Sequence, residues 1–314
     1  MKKISGYLYL TGAFVLAGTV VVTARPLSGR VGVFTIGAVS LLFALCALLP
    51  FRLASIIKTL KNYGVKDWAY MAFQAAAGIF LYRMFMLLGL ERTSALEAGL
   101  LTGASPAITV ALARLVLKER LSALKLAGLV CACAGIAALQ ADFTSQASFS
   151  WEHILGNALV LCAAACESCF NVFSRKDSVR RGEGNTNPID RTACVAAIAF
   201  VLCLIPAVFE APAERLAVLD AYGWLALVWY GVGATAIAYV MFYAGIARCD
   251  AGAAAAFSGL IPFTAFWLSV LVLGEQAGLV QALGGALVIA GILMISRMKR
   301  TVPSVLKQYA AVSE

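Results

Sequence analysis

Four ionisable side chains stand inside long apolar runs: Arg83, Glu97, Arg114 and Glu167. Placing a charge in hydrocarbon costs roughly 2.5–3.5 kcal/mol on insertion scales, so each demands a partner or a task. An Arg held in a cavity offers a planar fork that fits a carboxylate or a phosphate. A carboxylate such as Glu167 could bind an amine, or take up a proton once desolvated. Asn171 follows four residues on, on the same helix face, and could bond either Glu167 or a ligand. The structural alternative for Arg83 is an ion pair with Glu97. Arg114 lies one turn from Lys118, and its stem can carry the charge to the interface, which makes it structural.

Neutral candidates accompany these charges. Gln74, Gly78 and Leu81 follow helical spacing, with Tyr82 and Phe85 beside them, and Tyr230 and Tyr239 stand in a later run. Amide and aromatic groups suit a cavity for a small amphiphilic metabolite. They serve equally as contacts between helices. Catalytic and metal chemistry have no comparable footing. Cys162, Cys166 and Cys169 share a helix face, but clustered carboxylate or His partners are missing, so the nine cysteines are expected to act as small hydrophobes. His153, the single histidine, falls at a helix end and is expected to be interfacial. With no P-loop, no His/Asp/Cys cluster and only short loops, neither an enzyme nor an ATP-driven pump is expected, and no cofactor.

The elements that must position these groups are transmembrane helices. Hydrophobic residues make up 62% of the 314 positions and charged residues 13%, against roughly 45–50% and 25% in soluble domains. The apolar runs do not alternate, so they read as helices and the fold class is an all-α membrane protein. Ten spans are expected: 6–24, 31–51, 68–90, 95–117, 122–140, 152–174, 191–210, 222–247, 251–273 and 278–296. The first continues too far to be a cleavable leader. At about 1.5 Å per residue, Arg83 lies ~6 Å from the midplane on one side and Glu167 ~6 Å on the other, so they need not touch.

A net charge of +9 would suggest nucleic acid in a soluble protein; here the basic residues sit in loops and orient the helices. With a cytoplasmic N-terminus, eighteen Lys and Arg fall inside and five outside (Arg25, Arg30, Arg92, Arg215 and Arg248). Both termini are then cytoplasmic, and residues 298–314 form a cytoplasmic tail. Trp68, Trp151 and Trp224 mark span ends, where indole favours the headgroup level. Glu119 and Glu275 are expected at cytoplasmic helix ends, pairing with basic loops or closing an inner gate.

The sequence also matches itself at an offset of 156 residues. Gly89 meets Gly245, Arg92 meets Arg248, Gly103 meets Gly259, Pro106 meets Pro262, Glu119 meets Glu275 and Gly128 meets Gly284, with no gap. Two halves follow, 5–140 and 152–297. Each holds five spans, an odd number, so the second runs upside down relative to the first. Inverted repeats of this kind mark secondary transporters, with the substrate site near the midplane where the halves meet. Pro106 and Pro262 interrupt equivalent helices and are either hinges for alternating access or static packing kinks.

The stretch SALEAGLLTGASPAITVALARLVLKERLSALKLAGLVCACAGI and its partner AGAAAAFSGLIPFTAFWLSVLVLGEQAGLVQALGGALVIAGI resemble the paired EamA domains of the drug/metabolite transporter superfamily. A proline in the fourth helix of each half, a Glu just after it and glycines along the fifth carry the resemblance, which covers about residues 5–297. It implies ten helices with cytoplasmic termini, a central cavity lined by helices 1–4 and 6–9, and helices 5 and 10 at the periphery. It further implies a secondary transporter in the inner membrane, an exporter of a small organic molecule such as an amino acid. Coupling is either proton antiport through Glu167 or none. Lipid and a small-molecule substrate are the expected partners, nucleic acid is not, and the assembly is a monomer or homodimer. The reading from another class is a membrane sensor or enzyme without transport.

Overall fold

Apolar runs in hydrocarbon must satisfy every backbone group internally, and this chain does so with helices. The computed structural model describes residues 2–61, 63–117, 151–182, 187–249, 257–275 and 278–296, with positions 127, 128, 130, 131, 134, 135 and 254. Most of the expected span at 122–140, the positions Glu119 and 298–314, and the side chain of Arg114 lie outside the described residues. The helices are α1 (Lys2–Ala24), α2 (Val33–Lys61), α3 (Val65–Leu90), α4 (Ala95–Leu101) and α5 (Ala104–Leu117), then α6 (Trp151–Arg180), α7 (Pro188–Ala207) and the short α8 (Pro212–Ala217), and finally α9 (Ala221–Ile246), α10 (Leu260–Leu273) and α11 (Leu279–Ser296). No strand occurs among the described residues. Six helices, α1, α2, α3, α6, α7 and α9, are long and apolar enough to cross a membrane, and α10 is shorter.

Two expected spans are broken rather than continuous. The 95–117 span divides at Thr102 and Gly103, and its counterpart turns at Ser258 and Gly259 before α10 begins. The prolines explain both breaks. Pro106 cannot donate to the carbonyl of Thr102, four residues back, and its ring crowds that group. Ser105 N takes the Thr102 carbonyl instead at 2.9 Å, and Ile261 N takes that of Ser258 at 3.0 Å. Each proline thus stands in the first turn of a new helix, where a missing amide has no intrahelical partner to lose.

The 156-residue offset reappears in three dimensions. α3 passes through a π-helical turn at Ala76–Leu81 and α9 through one at Val232–Ile237, 156 residues later. α1 packs on α9 and α10, while its equivalent α6 packs on α3, α4 and α5. Gly89 lets α3 approach α6, since a Cβ there would lie 2.7 Å from Val160; Gly245 does the same for α9 against Leu10 of α1. Arg92 and Arg248 each donate to the carbonyl four residues back, Leu88 O at 2.8 Å and Ala244 O at 2.6 Å, a favourable place for a cation at a helix C-terminus.

α2 and α7 pack antiparallel and are pinned at both ends by carboxylates. Glu210, after α7, accepts from Phe34 N at 3.2 Å and Thr35 N at 2.7 Å, capping the first turn of α2. Asp190, in the first turn of α7, accepts from Arg52 Nε at 3.1 Å and Ser55 Oγ at 2.7 Å near the other end of α2.

Two placements correct the sequence reading. Arg248 lies over the ring of Tyr9, 5.1 Å from its centroid, at the N-terminal end of α1. Its repeat partner Arg92 lies at the other end, near Thr93, whose carbonyl accepts from Arg25 after α1. Arg248 therefore lies with the N-terminus, and on the ten-span expectation the charge bias becomes nineteen to four. Glu275 moves the other way. It accepts from Ala95 N at 3.1 Å and Leu96 N at 2.6 Å, capping α4 at the end remote from the N-terminus of α1 rather than on the N-terminal side.

Candidate functional site

A cavity opens between α1, α3, α6 and α9, with Ile261 of α10 at its edge. Its walls are mostly apolar, with Phe14, Phe170 and Phe242 among them, and a few polar groups converge on it, the usual make-up of a small-molecule site. Tyr82, Arg83, Glu167, Asn171 and Tyr239 all line it. The side chains of Arg83 and Glu167 face one space without forming an ion pair with each other.

Arg83 is 4% exposed. It donates to Ser40 Oγ at 2.6 Å, to Gly37 O at 3.3 Å and to Thr235 Oγ1, and its guanidinium lies 4.4 Å from the ring centroid of Tyr230. Every one of these partners is neutral. A guanidinium taken out of water keeps a large desolvation cost unless an opposite charge offsets it. The expected alternative, a pair with Glu97, is not formed. Glu97 accepts from Thr93 Oγ1 at 2.6 Å and lies 3.1 Å from His153 Nε2, away from the cavity lining. His153, in the first turn of α6, is therefore a partner of Glu97.

Glu167 projects from α6. Its Oε2 accepts from Ser105 Oγ at 2.8 Å, and its Oε1 is buried without a hydrogen-bond partner. Asn171 Nδ2 stands beside it without closing a hydrogen bond of normal geometry. Ser105 reaches Glu167 because the break at Thr102 and Gly103 starts α5 against α6, and Ser168 Oγ fastens that contact by donating to Ser105 O at 2.9 Å.

Gln74 lies elsewhere. It is fully buried, and its Oε1 accepts from Tyr243 OH at 2.8 Å and from Arg191 Nη2 at 3.0 Å. Arg191 also donates to Asp177 Oδ2 at 2.7 Å, and Arg180 bonds the other oxygen of Asp177, likewise at 2.7 Å. Asp67 of α3 ties in through Arg180 and Arg181. The rings of Phe170, Phe242 and Tyr243, with centroids 5.1–6.1 Å apart, stand between this charged layer and the cavity.

The chain matches the model of the EamA-like transporter family over residues 4–140 and 154–297. It belongs to that family. Among similar proteins, the uncharacterized transporter YetK of Bacillus subtilis (strain 168) is 26% identical, covering 93% of this chain and 87% of that protein. The aromatic amino acid exporter YddG of Ancylobacter novellus is 30% identical over 69% of this chain and 70% of its own length. A probable terminal-alkyne amino-acid exporter of Streptantibioticus cattleyicolor is 27% identical over 74% of each. A solved crystal structure with 23% identity superposes with a TM-score of 0.65, covering 93% of this chain and 96% of that one, which supports the fold. This EamA protein is a transporter and not an enzyme, a multi-pass protein of the inner membrane that handles a small molecule.

Several residues in and around the cavity escape a reading by sequence. Asp177 falls between the expected spans 152–174 and 191–210 and Arg191 at the start of the second, yet α6 runs to Arg180 and keeps Asp177 fully buried. The spacing of Asp177 with Arg180 and Arg181, three and four residues on, is the signal that could have found them. Thr235 and Ser40 carry none, since a lone hydroxyl in an apolar run ordinarily bonds its own helix. Among the described residues no group of three or more His, Cys, Asp or Glu could hold a metal.

Proposed function

We propose that this protein is a ten-span secondary transporter of inverted five-helix halves that exports a small zwitterion, an amino acid with an apolar side chain or a close relative. The observation that carries this is a buried Arg83 with only neutral partners in the same cavity as Glu167, whose Oε1 has no partner. A ligand carboxylate at Arg83 supplies the missing counter-charge through a bidentate fork. A ligand ammonium bonds Glu167 Oε1. Phe14, Phe170 and Phe242 then face the apolar remainder. Two similar proteins are named as amino-acid exporters, one of them for aromatic amino acids, which agrees with this chemistry. The corrected nineteen-to-four charge bias favours cytoplasmic termini.

Binding to the detergent-purified protein tests the assignment with three probes: L-phenylalanine, 3-phenylpropionate, which lacks the amine, and phenethylamine, which lacks the carboxylate. A charge-assisted hydrogen bond is worth about 1.5–3 kcal/mol, or roughly 10–100-fold in affinity. Arg83→Gln weakens phenylalanine and phenylpropionate by that factor and spares phenethylamine. Glu167→Gln weakens phenylalanine and phenethylamine and spares phenylpropionate. Unchanged phenylalanine binding in both variants overturns the reading. Glu167 is also the proposed proton carrier: in liposomes, at phenylalanine concentrations raised to saturate the weakened variant, Glu167→Gln abolishes pH-driven flux and leaves substrate exchange, and persistence of pH-driven flux removes it from that role.

A further inference from the structure

The two halves grip each other at the cavity in a crossed fashion. Arg83 stands two residues past the π-turn of α3 and donates to Thr235 Oγ1, inside the π-turn of α9. Tyr239 stands two residues past that second turn, at the position 156 residues from Arg83, and donates to Gly78 O inside the first. Equivalent positions thus make reciprocal contacts, each reaching into the other half's loosened turn. The contacts are also embedded. Thr235 Oγ1 donates to Tyr230 O five residues back at 2.6 Å, and the Tyr230 ring lies under Arg83. On the other side, Gly78 has no side chain, and Phe170 packs so closely that a Cβ there would lie 2.3 Å from its ring.

A π-turn replaces the tighter helical ladder with a wider ring, so it is held as much by its surroundings as by itself, and such turns concentrate at functional sites. A side chain that bonds into one fixes a part of the helix otherwise free to rewind. A ligand carboxylate is a far better acceptor for a guanidinium than a neutral hydroxyl. We infer that Arg83–Thr235 and Tyr239–Gly78 form a crossed latch joining the two π-turns, and that a carboxylate arriving in the cavity opens it by taking Arg83 from Thr235. Thr235 and Tyr239 are positioning residues: they transmit occupancy of the cavity to the helices without belonging to the charged pair that binds the ligand. The trigger rests on the carboxylate reading above; the latch does not.

Hydrogen–deuterium exchange on the detergent-purified full chain separates the two parts. Without ligand, Thr235→Val removes one arm at nearly constant volume and Tyr239→Phe removes the other. Exchange rises about tenfold in both turns, 76–81 and 232–237, in either variant, the size expected for one lost hydrogen bond of ~1.4 kcal/mol. Thr235→Ser keeps the hydroxyl and restores the wild-type rates, which excludes general loosening of the fold. An effect confined to the altered turn, or none, overturns the latch. Saturating 3-phenylpropionate on the wild type raises exchange at 232–237, and phenethylamine does not. If cross-coupling is present but 3-phenylpropionate binds and leaves exchange unchanged, the trigger is overturned. If 3-phenylpropionate does not bind at all, the carboxylate reading has failed and the latch stands on the ligand-free result.

Discussion

Arg83 shows how a single residue sets the terms for its surroundings. The cation is kept in an apolar cavity by a ring, a carbonyl and two hydroxyls, enough to hold it in place but short of a counter-charge. That cradle depends on a close approach between α2 and α9 at Gly231, where a Cβ would lie 2.1 Å from Ser40 O, a backbone atom that cannot swing aside. Gly231→Ala therefore forces the helices apart next to an Arg83 ligand. Overpacking of this kind costs about 1–3 kcal/mol, so the melting temperature of the purified protein falls and binding of 3-phenylpropionate weakens with it. A melting temperature equal to wild type overturns this dependence on Gly231.

At the scale of elements, carboxylates tie one helix to the end of another. Glu210 caps α2 from beyond α7, and Glu275 caps α4 from beyond α10. Losing a helix N-cap costs about 0.5–2 kcal/mol. Glu210→Ala and Glu275→Ala each lower thermal stability by that amount, measured in detergent, and leave the affinity for phenylalanine unchanged because neither residue lines the cavity. The cap by Glu275 also gives a physical reason for one member of the Glu119 and Glu275 match. A carboxylate just past one broken helix is placed to close the start of another, a tie that cannot be read from spacing along a single chain.

For the whole molecule the proposed arrangement is a duplication with an odd number of spans. It places Arg92 and Arg248 at opposite ends of the bundle although they are equivalent in sequence. In intact cells, an impermeant maleimide labels Glu91→Cys and Arg215→Cys in a cysteine-free background. Lys61→Cys and Arg248→Cys react only after the membrane is opened. Labelling of Arg248→Cys together with Glu91→Cys from outside would contradict the inverted arrangement.

The helical class and the main polar groups of the cavity are legible in the amino-acid sequence, because hydrophobic length and a buried charge act locally and leave marks at fixed spacing. Tyr82, Arg83, Glu167, Asn171 and Tyr239 were found in this way and do face one cavity. Tertiary structure decided what those residues touch. Gln74 has the right helical position but lies in the charged layer with Arg191 and Tyr243, since one or two turns along a helix separate a cavity from its floor. Glu97 pairs with His153 rather than Arg83, and Arg83 instead meets Thr235, 152 residues away. Partners so distant in the chain are chosen by how helices cross, and a crossing is set by close-packed surfaces of many residues.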